Sequence, residues 1–337
     1  MKLLFILMIY RQEYIWIGGN NELRSKVKYS KNVIPTDWNY DGSSTNQATT
    51  ENSEVILKPV RSYNNPFHSS EYPCKLVLCD TWVWENDTLK PHKTNLRIHA
   101  TKIFKDSDNY NPLFGIEHEF FITSNEIPLG YYGEKTPKQG QYYCSVGTGN
   151  AFGRDFLNLV CDLSIKAGIN ITGSNLEVAP GQMEIQLCEY GLKAADDSII
   201  LKYILDITGE ANNLKVNWNS KPLKGEWNGS GCHINFSTKQ MRERDGLNVI
   251  MECMKKLELK HKEHIDIYGD DNKERLTGSH ETSDLNNFSY GFGSRNTSIR
   301  IPTSTKINKC GYFEDRRPSS SVNLYLATSK LYDTCIN

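Results

Sequence analysis

Short apolar segments of this chain carry polar residues at every second position, and that alternation limits what the chain can fold into. In Gly115-Ile-Glu-His-Glu-Phe-Phe121, Glu117 and Glu119 share one face of a strand while Ile116 and Phe120 point the other way. Gln182, Glu184 and Gln186 alternate in the same manner with Met183, Ile185 and Leu187. His233 and Asn235 alternate with Cys232, Ile234 and Phe236, and Ser298 and Arg300 with Ile299 and Ile301. Four such strands are expected to line one cavity with carboxylates, an imidazole and guanidinium groups. That mixture suits a hard cation gripping an anionic substrate, as in phosphoryl transfer.

The 337 residues suffice for two domains, and 38% hydrophobic with 23% charged residues describe an ordinary soluble globular protein. Lys and Arg (39) balance Asp and Glu (40), so the net charge of −1 gives no attraction to nucleic acid or an acidic membrane. No nucleic-acid or membrane partner is expected. The nine cysteines are odd in number and form no C-x-x-C pair, which points to reduced thiols in a cytoplasmic protein. The sequons Asn228-Gly-Ser230 and Asn235-Phe-Ser237 flank His233, where a glycan would obstruct a site, and this too favours the cytoplasm. The apolar start, Met1 to Tyr10, lacks a small-residue cleavage site and is too short to span a bilayer; it is expected to be a buried or pairing segment, with a targeting signal as the alternative.

Residues 14 to 90 mix strand-like runs (14–17, 55–57 and 75–78) with turn-rich connectors, among them a loop at 41–46. A polar stretch from Asn86 to Lys93 is taken as the boundary between domains 1–90 and 91–337. Beyond it, Phe156, Leu159, Val160, Leu163 and Ala167 keep helical spacing up to a stop at Gly168, and Leu247, Ile250, Met251, Met254 and Leu257 do so on a second helix. Both stripes read as core.

Two acids on one strand face more often mark a solvated surface. Here, however, Glu177 lies in Gly173-Ser-Asn-Leu-Glu-Val-Ala-Pro180 and Glu184 follows among apolar neighbours, where carboxylates are costly unless a cation neutralises them. His233 follows the glycine-rich turn Trp227-Asn-Gly-Ser-Gly-Cys232, whose backbone amides are expected to approach a ligand. One imidazole among carboxylates favours Mg²⁺ or Mn²⁺ over zinc. Arg275, Arg295, Arg300, Arg316 and Arg317 crowd a short span and supply guanidiniums for phosphate or carboxylate. A G-x-x-x-x-G-K-[ST] string is absent, so this is not a P-loop chain.

These residues sit in strings that resemble class II (eukaryotic-type) glutamine synthetases from about residue 14 onward. The strings are Trp38-Asn-Tyr-Asp-Gly-Ser-Ser-Thr45, Phe114-Gly-Ile-Glu-His-Glu119, Tyr142-Tyr-Cys-Ser-Val-Gly147 and Trp227-Asn-Gly-Ser-Gly-Cys-His233. Arg275-Leu-Thr-Gly-Ser-His-Glu-Thr282, Ser298-Ile-Arg-Ile-Pro302 and Gly311-Tyr-Phe-Glu-Asp-Arg-Arg-Pro318 follow in the family's order. The resemblance implies an α+β fold, with a small N-terminal β-grasp domain and a larger catalytic domain whose curved antiparallel sheet is flanked by helices. It also implies ATP-dependent ligation of ammonia to L-glutamate through a γ-glutamyl phosphate. Glu119, Glu177 and Glu184 would hold one divalent cation, Mg²⁺ or Mn²⁺, and Glu117, His233 and Glu314 a second. ATP would meet Glu117, Glu184, Asn235, Phe236, Ser237, Arg295, Arg300, Tyr312 and Phe313. Glutamate would meet Asn228, Gly229, Arg275 and Arg316. Asp41, beside Ser44, would bind ammonium and take its proton, and Glu281 would close over the intermediate. The implied assembly is a homo-oligomer, a decamer of two pentameric rings in which the neighbouring subunit supplies Asp41.

Departures from the family's usual strings fall at Leu113, Tyr290, Ser294 and Asn323-Leu-Tyr325, none of them a proposed ligand. Two other readings stay open at this point: a related ligase that joins glutamate to a larger amine, and a catalytically silent structural homologue.

Overall fold

The computed structural model describes residues 9–68 and 73–337. Most of the apolar start therefore lies outside the described residues. The chain forms two compact units: one runs to Thr101 and includes Leu163–Ile169, and the other comprises Lys102–Asp162 and Asn170–Asn337.

The first unit is built on a six-stranded sheet of β1 (Tyr10–Ile17), β2 (Leu23–Ser30), β3 (Trp38–Asp41), β4 (Glu54–Asn64), β5 (Cys74–Glu85) and β6 (Thr88–Pro91). The order is β2-β1-β5-β4-β3, with β6 on β5, and β1 runs parallel to β5 while its neighbours are antiparallel. Tyr14, Trp16, Val55, Leu57 and Val77 form its core. The polar stretch at 86–93 contains β6, whose backbone pairs with β5 (Trp82 opposite Pro91, Glu85 opposite Thr88). Asn86 and Asp87, both at positive φ, turn that hairpin. Polarity there reflects a two-residue turn. After β3, residues 42–45 form one 3-10 turn capped by Asp41, which accepts from the Ser43 amide.

The second unit holds a nine-stranded open sheet. Its strands are β7 (Leu113–Ser124), β8 (Ile127–Pro128), β9 (Ile171–Leu176), β10 (Gln182–Tyr190), β11 (Lys215–Asn217), β12 (Cys232–Ser237), β13 (Tyr290–Phe292), β14 (Ile299–Ile301) and β15 (Phe313–Asp315). The order β13-β14-β15-β12-β7-β10-β9 is antiparallel throughout except for β13 and β14. The alternation read from the sequence thus separates two faces. Ile116, Phe120, Met183, Ile185, Ile234 and Phe236 are buried. His118, on that apolar side, places Nε2 3.0 Å from Ser198 Oγ on the long helix Gly191–Asn212. The mixed α+β architecture agrees with expectation.

The two expected helices form as Arg154–Ala167 and Gly246–Leu259. Gly168 ends the first at φ +99°, a conformation that glycine adopts without steric cost. The stripe on that helix is partly misplaced: Leu159 is exposed, while Leu157 and Cys161 are buried. Helical spacing alone admits either phase where apolar residues are dense. Asn323, one of the departures, caps the helix Leu324–Ile336 by accepting from the amides of Tyr325 and Leu326.

Arg317 also differs from its sequence reading as an anion-binding arginine. It is fully buried, paired with Asp315 through Nη2–Oδ2 at 2.7 Å and Nε–Oδ1 at 2.9 Å. Tyr268 OH adds a bond to Asp315 Oδ2 at 2.8 Å. Removing one member leaves the other charge buried without its partner. Arg317→Ala should lower unfolding free energy by about 3–5 kcal/mol in urea denaturation, whereas the exposed Arg244→Ala should stay within about 0.5 kcal/mol of the parent.

Candidate active site

Strand register brings the polar faces together. Glu117 lies opposite His233 across β7 and β12, and Glu119 opposite Glu184 across β7 and β10. Glu314 on β15 lies opposite both Asn235 and Arg300. Glu177 comes from the turn after β9, which its amide closes onto the carbonyl of Gln182. Two clusters result, Glu117–His233–Glu314 and Glu119–Glu177–Glu184, each with ligand atoms within 4.8 Å of one another. His233 Nδ1 stands 3.4 Å from Glu117, 3.6 Å from Glu314 and 3.8 Å from Glu119.

Each carboxylate has a fixed partner. Asn235 Nδ2 donates to Glu117 at 2.7 Å, Gln186 Nε2 to Glu184 at 2.7 Å, and Asn175 Nδ2 to Glu177 at 2.8 Å. Arg316 and Arg300 hold Glu314 at 2.6 and 2.8 Å. The Gly231 amide donates to Glu119 at 2.7 Å. The glycine-rich turn therefore grips a carboxylate at this amide rather than a ligand. A side chain at Gly231 would put its Cβ 2.6 Å from His233 Nε2, so only glycine fits there. Asn175, Gln182 and Gln186 were not assigned roles from sequence, although the period-two pattern already put Gln182 and Gln186 on the face of Glu184. Gln139, which accepts from the Asn228 amide at 2.7 Å, sits in a loop where no sequence signal marked it.

Burial pushes Glu119 up to about 8, with repulsion from Glu177 adding to it. Burial and then Glu117 and Glu119 raise Glu184 to about 8, and burial with Glu184 raises Glu177 to about 7. Glu117 is raised mainly by burial, and His233 is held well below its ordinary value by burial and then Arg316. These acids thus resist ionisation together near neutral pH unless positive charge enters among them. Five carboxylates and one neutral imidazole form a donor set that fits hard divalent cations.

The second cluster opens into a narrow polar cavity that Asn228, Gly229, Arg275, Glu281, Arg295 and Arg316 also line. Buried polar atoms without a partner include Asn228 Oδ1, Arg300 Nε and Arg316 Nε, so hydrogen-bonding capacity beside the site is left unused. Arg295 Nη2 lies 3.3 Å from Glu281, and the carbonyl of Glu281 accepts from Arg316 at 3.2 Å. Arg275 is largely committed to structure: its Nη2 binds the carbonyls of Arg316, Arg317 and Pro318 at 2.8–3.0 Å. A second, mostly apolar cavity of about 400 Å³ is lined by Leu113, Asn235, Phe236, Ser237 and Tyr312. The Phe313 ring is buried in the core against Phe236, centroids 5.7 Å apart, so that side chain lines neither cavity. Asp41 and Ser44 belong to the first unit, where both are exposed and Ser44 Oγ donates to Asp41 at 2.9 Å. Hydrogen bonds from Ser43 and Ser44 lower the Asp41 pKa.

Residues 95–262 match the model of the glutamine synthetase catalytic domain. The chain is 43% identical over 336 residues to glutamine synthetase root isozyme A of Pisum sativum, covering 96% of this chain and 93% of that one. It is 42% identical over 333 residues to glutamine synthetase of Agaricus bisporus, covering 96% and 92%. The chain belongs to the glutamine synthetase family, class II type. A protein of Acanthamoeba polyphaga mimivirus, provisionally named a glutamine synthetase, is 47% identical over 334 residues, covering 96% of this chain and 93% of that one.

The raised acids of this family member fix a sign for pH dependence. Their folded values exceed the ordinary unfolded value of about 4.3, so without metal the fold holds protons that the unfolded chain has lost. Metal-free stability should be greatest below about pH 4 as far as these groups are concerned, and should fall as pH rises through 7 to 8. Melting curves recorded with EDTA should shift down between pH 6 and pH 8. Added Mg²⁺ or Mn²⁺ should raise the midpoint more at pH 8 than at pH 6.

Proposed function

We infer that this chain is a glutamate–ammonia ligase that joins ammonia to L-glutamate at the expense of ATP, giving L-glutamine, ADP and phosphate. Identity of 42–47% across nearly the whole length of named glutamine synthetases carries the reading. A γ-carboxylate oxygen of glutamate attacks the γ-phosphorus of ATP, and ADP leaves. Ammonia then attacks the acyl carbon and phosphate departs, since a free carboxylate is too poor an electrophile for an amine.

Within that reaction we assign roles to the residues. Glu119, Glu177 and Glu184 hold one divalent cation, and Glu117, His233 and Glu314 hold the other. Mg²⁺ or Mn²⁺ bound there would neutralise charge on the transferring phosphoryl group. Arg295 and Arg300 meet the ATP phosphates, and Asn235, Ser237 and Tyr312 line the base cavity. Arg316, Asn228 and Gly229, with Arg275 behind them, orient glutamate. Glu281 covers the intermediate and excludes water that would hydrolyse it. Asp41 and Ser44 take ammonium and its proton.

The division into a β-grasp domain (1–90) and a catalytic domain (91–337) belongs to the same proposal. So does a decamer of two pentameric rings, with Asp41 supplied by the neighbouring subunit. Among the described residues no helix is long and apolar enough to cross a membrane, and we assign the protein to the cytoplasm, with no nucleic-acid partner.

Purified oligomer with Mg²⁺, ATP and glutamate should release phosphate in an ammonia-stimulated manner; no release at saturating substrate would refute the assignment. Ammonia should be preferred to polyamines as acceptor. Arg295→Ala should lower kcat by about 10³-fold or more, as for other arginines that stabilise a transferring phosphoryl group. Glu184→Ala should abolish turnover, and retained activity in that variant would show the metal assignment to be wrong.

A further inference from the structure

Away from the site, the helix Gly246–Leu259 brings Cys253 against Cys335 on the helix Leu324–Ile336. Cys253 Sγ donates to the Cys335 carbonyl oxygen across 3.7 Å, which puts the two cysteines in direct contact. Both are free thiols and both are buried. Lys256, one turn along from Cys253, places Nζ 3.0 Å from the Cys335 carbonyl and 3.4 Å from that of Ile336. The cluster is therefore two thiols and an ammonium where two helices cross.

The two thiols are unequal. The hydrogen bond from Cys335, then the Lys256 charge, draws Cys253 below its usual pKa, whereas burial and Cys253 itself push Cys335 well above. One is suited to attack and the other to resolve. Cys335 occupies the last turn of its helix, where the exposed Asn337 amide makes the closing bond to the Asp333 carbonyl. Local opening of the packing between the two helices gives a small reagent access, since such openings cost less than global unfolding.

We propose that Cys253 and Cys335 are an oxidisable pair that closes to an intramolecular disulfide by exchange with a small-molecule disulfide. The Cys253 thiolate attacks one sulfur of the reagent, R–S–S–R. The reagent's S–S bond breaks, RS⁻ leaves, and it takes up the proton that Cys253 has lost. Cys335 then loses its proton and attacks the Cys253 sulfur of the mixed disulfide; the second RS⁻ leaves and accepts that proton. The protein gives up two protons and two electrons, which appear in two RSH molecules. The segment between the two cysteines, which lie 82 positions apart, includes Arg275, Glu281, Arg295 and Glu314. A cross-link across so long a segment restricts the unfolded chain strongly, so the oxidised protein is the more heat-stable form.

Full-length protein is incubated with oxidised glutathione, alkylated under denaturing conditions and mapped by mass spectrometry. A linked Cys253–Cys335 peptide pair is expected, with a melting temperature raised by several degrees and restored by dithiothreitol. Cys253→Ser and Cys335→Ser should each lose the link and the shift, and Cys161→Ser should keep both. Full alkylation of both thiols, glutathione on either without a link, a link to another cysteine, or a link without the rise would overturn the proposal. If a serine variant fails to fold, the wild-type map still decides.

Discussion

Five carboxylates crowded onto one face of a sheet, largely out of reach of bulk water, are the constraint around which the second unit is arranged. Repulsion and desolvation both oppose such a cluster, and several acids respond by being raised towards or past neutrality. Several neighbours offset part of this cost. Amides of Asn175, Gln186 and Asn235 point at carboxylate oxygens, the Gly231 backbone binds Glu119, and two arginines clasp Glu314. Such partners fix orientation but do not neutralise the cluster, so its acids hold protons near neutrality unless positive charge enters.

The opposite face of the same strands sets those positions. Ile116, His118 and Phe120 alternate with the two acids of β7, and they are locked by packing and by the bond from His118 to Ser198. Cys232 plays the corresponding part behind His233, its sulfur 3.7 Å from His118 Nδ1. Because side chains alternate strictly along a strand, fixing one face fixes the other.

Much of this was legible in the sequence. Period-two alternation identified β7, β10, β12 and β14 and separated polar from apolar faces correctly. What alternation could not supply was which strands neighbour one another, and in what register. Glu177 was also beyond its reach, because that residue sits on a turn whose position depends on pairing between β9 and β10. One error was of phase: the stripe at Leu159 was misplaced on a helix with many apolar residues. Arg317 shows the reverse problem: four charges in the row Glu314-Asp-Arg-Arg317 look alike in sequence, yet Asp315 and Arg317 satisfy each other in the interior.

That row has a further consequence. In Phe313-Glu-Asp-Arg-Arg317, successive side chains belong to core, site, core, site and core. Gaining or losing one residue there would exchange the roles of both faces at once, burying Glu314 in the core and turning the salt-bridged Asp315 towards the acidic cluster. Length variation in descendants of this chain should therefore accumulate in the loops around it, while this short segment tolerates substitution at some places and indels at none.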